Sequence, residues 1–565
     1  VSLSPDQYRA QAQALASTGN IAGALELLDT ALKEHSGIAP LANSAGNLAM
    51  KLPDADRAAR YFGKAAELAP ASTEFAINLA IALSAADRHA QALDALKPVE
   101  KDGMADARYC SVRASCSRAT GNLADAELWY DRSIALNPAG ARAVHGRARV
   151  ALERGQAGAV QLFERALSLN QGDAEAWLGL AEALDAAGEQ QRARQLAGQL
   201  VAQAPHWIAA LRLLAQIRLA AGEDDFTSHL AEAEAKIPDN PAIAHEHIRM
   251  LEMHDRFEDA MEIAARAARR FPDNETFALL QASYAGIVGA DDVAKGLFTR
   301  LASQNPNRWL LEARYLLGRG EYVQCGALLD KVIAADPLHI NAWAVRDFLW
   351  RLTDDPRGEW LHGQDGLVQM VELPDGEAVL RDAVPLLHRL HDNSAFPLGQ
   401  SLRGGTQTRG VLFDRAEPEL QRLHDALVVA LENYRSALPP LDPQHPLLRF
   451  RDAALFITSS WSVRLAGGGD FHAAHLHPDG IVSSALYCQL PDGLGENEDD
   501  EKAGYIELGR PPPKLRIDLE PRYTLRPQVG HLALFPSTLY HGTRPFSQGQ
   551  RMTVAFDVQH KGSAE

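Results

Sequence analysis

A turn-forming residue recurs along residues 19–289 at a spacing of 33 or 34: Gly19, Asp87, Gly121, Gly155, Gly188, Gly222, Asp255 and Gly289. The step from 19 to 87 is two periods of 34, with Pro53 in the intervening turn. A second series, Pro70, Pro138, Pro205, Pro238, Pro272, Pro306 and Pro337, is read as marking helix ends, because proline cannot continue a helix. Between turn and proline the residues pattern as an amphipathic helix. Gly121 is followed by Ala126 and Tyr130, Gly155 by Ala159, Phe163 and Ala166, and Gly289 by Ala294 and Phe298. A small residue where two helices cross and a large one a turn later is what close helix pairing requires. A unit this short cannot bury its own apolar face, so the repeats must stack into an extended array.

The period and the G-x-x-x-x-A-x-x-x-[YF]-x-x-[AS] core resemble the tetratricopeptide repeat over residues 1 to about 340, and Trp177, Leu180 and Ala181 match the preceding helix. The units near Gly222 and Gly320 depart from the pattern, with the small residue missing or shifted. The resemblance implies about ten repeats forming an all-α superhelix whose concave face binds a peptide or protein; a spacer or dimerisation module is the alternative.

After Pro337 the periodicity is lost, and residues 353–365 hold turn residues without helical spacing. A boundary is placed there, giving an array over 1–355 and a second domain over 356–565. Two helices are expected near 378–391 and 416–437. Short β-type runs follow at 453–464, 481–490, 531–536 and 551–558, with Gly- and Pro-rich turns between them. Strands of that kind suggest a sandwich or barrel, and about 200 residues suffice for one core.

The second domain carries Gly467-Gly-Gly-Asp-Phe-His472-Ala-Ala-His475-Leu-His477-Pro-Asp479-Gly, then His541, then Arg551-Met-Thr553. In extended backbone i and i+2 point the same way, so His475, His477 and Asp479 share a side. Two imidazoles plus a third donor from a distant strand suit a non-haem Fe(II) site, and imidazole alone would also suit zinc.

The set resembles the 2-oxoglutarate/Fe(II)-dependent oxygenases over residues of about 365–565. It is most similar to bacterial tetratricopeptide–oxygenase fusions with H-x-H-P-x-G-x-x-S-S and Q-S-L-R-G-G-T-Q-T, present here at His475–Ser484 and Gln400–Thr408. The resemblance implies a double-stranded β-helix (jelly-roll, cupin-like), with Fe(II), 2-oxoglutarate and O₂ as cofactors and ascorbate as a stimulant. It implies a distal His followed about ten residues on by Arg, as in His541 and Arg551. The far carboxylate of 2-oxoglutarate then meets Arg551, whose fork binds carboxylates bidentately, with a hydrogen bond from Thr553. Two ligand registers stay open: His475, His477 and His541, or His477, Asp479 and His541. Aspartyl/asparaginyl hydroxylases, which also carry such repeats and lack a carboxylate ligand, align their His with His475. Tyr487 is either a co-substrate contact or a core residue. Arg403 is either a clamp for a substrate carboxylate or a solvated turn residue. His472 is read as flanking the site or on the surface, Trp461 as core, and 496–501 as a solvated acidic loop or a lid favouring basic peptides.

Acidic residues outnumber basic ones 73 to 56, for a formal charge of −17. A surface of that sign repels phosphate, which argues against nucleic acid or an anionic membrane as partner. No run of 18 apolar residues is present, and the first twenty residues do not read as a signal peptide. Four cysteines without a C-x-x-C pair, Cys110, Cys116, Cys325 and Cys488, read as buried thiols in a reducing compartment, hence cytoplasmic. The reading is an oxygenase that hydroxylates a peptide or protein recruited by the repeats. The alternatives are a binding scaffold with an inactive barrel and a zinc hydrolase, which would need a longer (β/α) barrel. The oligomeric state and the hydroxylated residue type are not legible.

Overall fold

The computed structural model describes residues 3–392, 402–494 and 501–560. Helices alternate from Pro5–Ser17 to Ile340–Leu352 as antiparallel pairs, such as Leu123–Leu136 after Ala107–Ala119 and Phe257–Arg270 after Pro241–Glu252. The turn series is where the chain reverses. Gly19, Asp87, Gly121, Gly155, Gly188, Gly222, Asp255, Gly289 and Gly320 all have positive φ, between 56° and 85°. Glycine takes that conformation freely and Asp tolerates it, which explains the composition of the series. Capping residues start the next helix: Asn20, Asp54 and Asn122 each accept from the backbone N–H three residues on. In several repeats the large residue packs on a glycine of a neighbouring helix. A Cβ on Gly46 would stand 2.6 Å from the Phe62 ring, and one on Gly146 or Gly179 would run into Tyr130 or Phe163.

Two details differ from expectation. Pro306 opens the helix Pro306–Gly318 instead of ending one, since the first helical position needs no N–H. Within 353–365 a short helix, Arg357–His362, buries Leu361 and His362; six residues are too few to show a period.

The chain forms two compact units, Val1–Ala183 and Leu184–Glu565. The second contains the later helix pairs and every strand among the described residues. Its strands are β1 (Gln369–Glu372), β2 (Leu402–Arg403), β3 (Thr406–Gln407), β4 (Leu455–Ala466), β5 (Phe471–His472), β6 (Val482–Gln489), β7 (Ile506–Leu508), β8 (Tyr523–Leu525), β9 (His531–Pro536), β10 (His541–Thr543) and β11 (Gln550–His560). A six-stranded antiparallel sheet runs β1-β9-β6-β11-β4-β3; smaller sheets are β10-β7-β8 and β2-β5. One large antiparallel sheet accompanied by smaller ones is consistent with the jelly-roll arrangement expected.

Strand alternation decides what each face does. On β11, Met552, Val554, Phe556 and Val558 pack with Val482 and Leu486 of β6 and Leu532 and Leu534 of β9 against helices Gly376–Asp392 and Pro418–Ala437. The other β11 face carries Arg551, Thr553, Ala555 and Asp557, beside Tyr487 and Ser483 of β6 and Trp461 and Ser459 of β4. The four expected β runs and both helices are observed within two residues of their expected ends. The two- to four-residue strands were too short to see in sequence.

Candidate metal centre

Three imidazoles converge where the sheets face each other. His541 opens β10, and His475 bridges to it through paired backbone bonds, N to O at 3.0 Å in both directions. His477 lies two residues on. One ring nitrogen from each of His475, His477 and His541 falls within 4.8 Å of the others. Among the described residues, this is the group of His, Cys, Asp and Glu close enough to share one ion. Asp479 does not join it: its side chain is exposed, and its carbonyl accepts from Gln559.

Hydrogen bonding orients all three rings the same way. His475 Nδ1 meets the Ala473 carbonyl at 2.8 Å, and His541 Nδ1 meets the Leu539 carbonyl at 3.2 Å. His477 Nδ1 meets the Asp557 carboxylate at 2.5 Å, and Ser459 Oγ donates to the other carboxylate oxygen at 2.8 Å. Carbonyls and carboxylates only accept, so each Nδ1 carries a proton, which leaves Nε2 as the nitrogen that can bind a metal. Burial, then the neighbouring imidazoles, holds His475 and His541 well below the ordinary histidine range, so both are neutral. Three converging imidazoles, each with its Nδ1 already bonded, are a donor set that suits a divalent metal.

The motif's other residues have physical roles. Gly480 passes so close to Asp557 that a Cβ would stand 3.3 Å from its side chain, and a Cβ on Gly542 would stand 2.8 Å from the His472 carbonyl. Ser484 Oγ bridges β6 to β11, accepting from Phe556 N–H at 2.8 Å and donating to its carbonyl at 2.9 Å.

Beyond His541, on the same side of β10, Thr543 Oγ1 accepts from Arg551 Nη1 at 2.6 Å. The guanidinium is 3% exposed and stands 5.3 Å from the centroid of the Tyr487 ring. Its Nε is buried with no hydrogen-bond partner, and the Tyr487 hydroxyl makes no hydrogen bond of acceptable geometry. Burial pushes Arg551 below the usual arginine value and Tyr487 above the usual tyrosine value. Two unsatisfied buried donors beside a cation are costly unless an anion completes them. Thr543 is two residues from His541 on β10, about 6.8 Å along a strand, so the guanidinium bonded to Thr543 lies on the side of β10 that carries His541. Thr553, 9% exposed, lies on the same β11 face.

The remaining candidates are placed as follows. His472 is half-buried and stacks on His475 with centroids 5.5 Å apart. Trp461, expected in the core, is half-buried and tilts against His477 at 5.1 Å, because its face of β4 lines the site. Arg403 forms an ion pair with Asp255, a left-handed turn residue of the repeats, and its Nη1 donates to the Leu402 carbonyl. Residues 496–500 of the acidic segment, and Gln400 and Ser401 of the Q-S-L-R-G-G-T-Q-T run, lie outside the described residues. Asp557 and Thr543 went unnoticed in the sequence; Asp557 shares the i, i+2 face of Arg551 and Thr553, the signal that would have found it.

A protein-family model described as "Putative 2OG-Fe(II) oxygenase" matches residues 459–557, and tetratricopeptide-repeat models match 9–73, 49–116 and 157–217. Protein FlbA of Caulobacter vibrioides is 28% identical over 139 residues, which is 25% of this chain and 23% of that protein. Among solved structures, the type IV pilus biogenesis factor PilW is 21% identical over 38% of this chain and all of its own, with a TM-score of 0.35. YrrB, described as a tetratricopeptide protein with an unusual peptide-binding site, is 20% identical over 30% of this chain and 88% of its own, with a TM-score of 0.27.

Proposed function

We propose that this chain, a tetratricopeptide-repeat array joined to a 2OG-Fe(II) oxygenase domain, is a 2-oxoglutarate-dependent dioxygenase that hydroxylates a peptide or protein. The observation that carries the reading is the pairing of three converging imidazole nitrogens with a buried guanidinium, bonded to Thr543, whose Nε has no hydrogen-bond partner. His475, His477 and His541 would hold Fe(II), and Arg551, Thr553 and Tyr487 would receive the distal carboxylate of 2-oxoglutarate. With O₂, that pair supplies the oxidising power to hydroxylate a C–H bond, giving succinate and CO₂.

The chain's own contribution is binding and orientation. Asp557 keeps the His477 proton on Nδ1, and the Ala473 and Leu539 carbonyls do the same for His475 and His541. Trp461 and Phe535 pack against His477 and His541 and exclude water from that side.

Support for a peptide substrate comes from the array itself. Its helices already hold an irregular segment of this chain. The turn Pro513–Leu515 lies against two successive repeats: a Cβ on Gly318 of helix Pro306–Gly318 would stand 2.6 Å from the Leu515 carbonyl oxygen, and Arg516 donates to the Gly286 carbonyl at 2.9 Å and to Asp291 at 2.8 Å. All four cysteines are buried free thiols, which fits the cytoplasm as the working compartment. Among the described residues no helix is long and apolar enough to cross a membrane.

Thermal unfolding with Mn(II) as a redox-silent stand-in tests the reading. Addition of 2-oxoglutarate should raise the melting temperature only when metal is present, and Arg551→Ala should need at least tenfold more co-substrate for the same rise. No co-substrate effect in the metal-loaded wild type, or an unchanged response in Arg551→Ala, would contradict it.

A further inference from the structure

The loop between β9 and β10 delivers His541, and the repeat array grips that loop from outside. Asp347, on Ile340–Leu352 at the end of the repeat array, and His362, at the end of Arg357–His362, are 1% and 0% exposed. His362 Nδ1 lies 2.9 Å from Asp347 Oδ1, and its Nε2 lies 2.8 Å from Thr538 Oγ1. Burial would raise the Asp347 carboxyl, but His362, Arg351 and Arg522 outweigh it and hold Asp347 ionised. An ionised carboxylate accepts the Nδ1 proton, and the hydrogen bond between Nε2 and the Thr538 hydroxyl completes a continuous chain from the helix to the loop. Two residues on, Tyr540 stacks on Phe348 of the same helix with centroids 5.3 Å apart. Between these two grips sits Leu539, whose carbonyl orients the His541 ring.

We infer that Asp347, His362 and Thr538 are positioning residues for the metal centre: the end of the repeat array sets the Leu539 carbonyl, and through it the direction of His541 Nε2. The array is then part of the site's scaffold as well as a recruiter. Linkage makes the effect reciprocal, so a loaded site must tighten the helices that hold it. This inference rests on the reading of His541 as a metal ligand.

The test is a Co(II) absorbance titration of the full metal-free chain, with wild type, His541→Ala, Thr538→Val and Thr538→Ser. Valine keeps the shape of threonine and removes the hydroxyl; serine restores it. Wild type is expected to show ligand-field bands that His541→Ala loses. Thr538→Val should bind Co(II) about tenfold or more weakly with shifted bands, and Thr538→Ser should recover both. Absence of bands in wild type, or bands that survive His541→Ala, would defeat the metal-centre reading. Normal wild-type and His541→Ala behaviour with an unchanged Thr538→Val would defeat the positioning role alone. Should Thr538→Val fail to fold, amide exchange of the wild type with and without Co(II) decides. Slower exchange in 340–352 on loading is expected, and unchanged exchange there would overturn the inference.

Discussion

At the scale of single residues, the sharpest consequences fall on groups that never touch the reacting atoms. Asp557 fixes the tautomer and tilt of His477. Asp557→Asn puts an amide where the Nδ1 proton must go, and metal affinity should fall about 10- to 100-fold, read by competition with a chromophoric chelator. Ser459→Ala, which removes only the outer hydrogen bond to Asp557, should cost less. The three histidines and Arg551 were legible because H-x-H, a late His and an Arg ten residues on form a pattern in one dimension. Asp557 and Thr543 were not, because their roles exist only once β11 lies beside β4 and β10 lies beneath the guanidinium. The choice between Asp479 and His475 was likewise open in sequence. Local direction separates the two: the chain turns after Pro478, so Asp479 faces out while His475 is pinned to His541 by two backbone bonds.

At the scale of elements, two results depend on which of two opposed effects is larger. Gly146 lies mid-helix, where alanine would ordinarily stabilise by about 1 kcal/mol. Its Cβ would meet the buried Tyr130 ring, however, and overpacking costs about 1–3 kcal/mol. Gly146→Ala should therefore lower stability, measured by urea unfolding, and Gly146→Ala with Tyr130→Leu should regain part of the loss. The second case is His391, buried between Thr406 Oγ1 at 2.9 Å and Ser462 Oγ at 3.0 Å, tying helix Gly376–Asp392 to β3 and β4. Burial, with Arg464 nearby, pushes its pKa down to about 3 from 6.5. Between those values the unfolded chain binds a proton that the folded chain refuses, so stability rises with pH and is lost as pH falls from 6.5 toward 3. The stability advantage of wild type over His391→Asn should shrink by up to about 1.4 kcal/mol per pH unit across that window. Equilibrium unfolding at a series of pH values checks this, and a constant difference would refute it. Such elements were legible in sequence where period and length were long enough, as in the repeats, β9 and β11. The strands of two to four residues, and the partnership of His391 with two hydroxyls from other elements, depend on tertiary pairing.

At the scale of the molecule, the contact pattern divides the chain inside the helical array, and the repeats from residue 184 onward form one compact unit with the strands. Arg351 donates to the Gly509 carbonyl at 2.5 Å, Arg522 donates to Glu359 at 2.9 Å, and Leu515 is buried among Leu317, Phe348 and other repeat residues. A fragment starting at residue 365 would lose all of these partners. It should express poorly and fail to bind metal, whereas 184–565 should fold and bind. Limited proteolysis of the full chain should accordingly leave a stable fragment that includes the later repeats. The periodicity of the array shows how its helices stack, but a repeat's outer residues carry no mark of what will cover them, so this sharing was invisible in sequence.

The central claim is that the three histidines and Arg551 together make a 2-oxoglutarate-dependent iron site. The most direct measurement is the visible spectrum of the metal-free chain under anaerobic conditions, titrated with Fe(II) and then 2-oxoglutarate, for wild type, His541→Ala and Arg551→Ala. A weak charge-transfer band is predicted in wild type, absent in His541→Ala, and reached in Arg551→Ala only at far higher 2-oxoglutarate. A folded wild type that takes up Fe(II) and shows no band on adding 2-oxoglutarate would contradict the account.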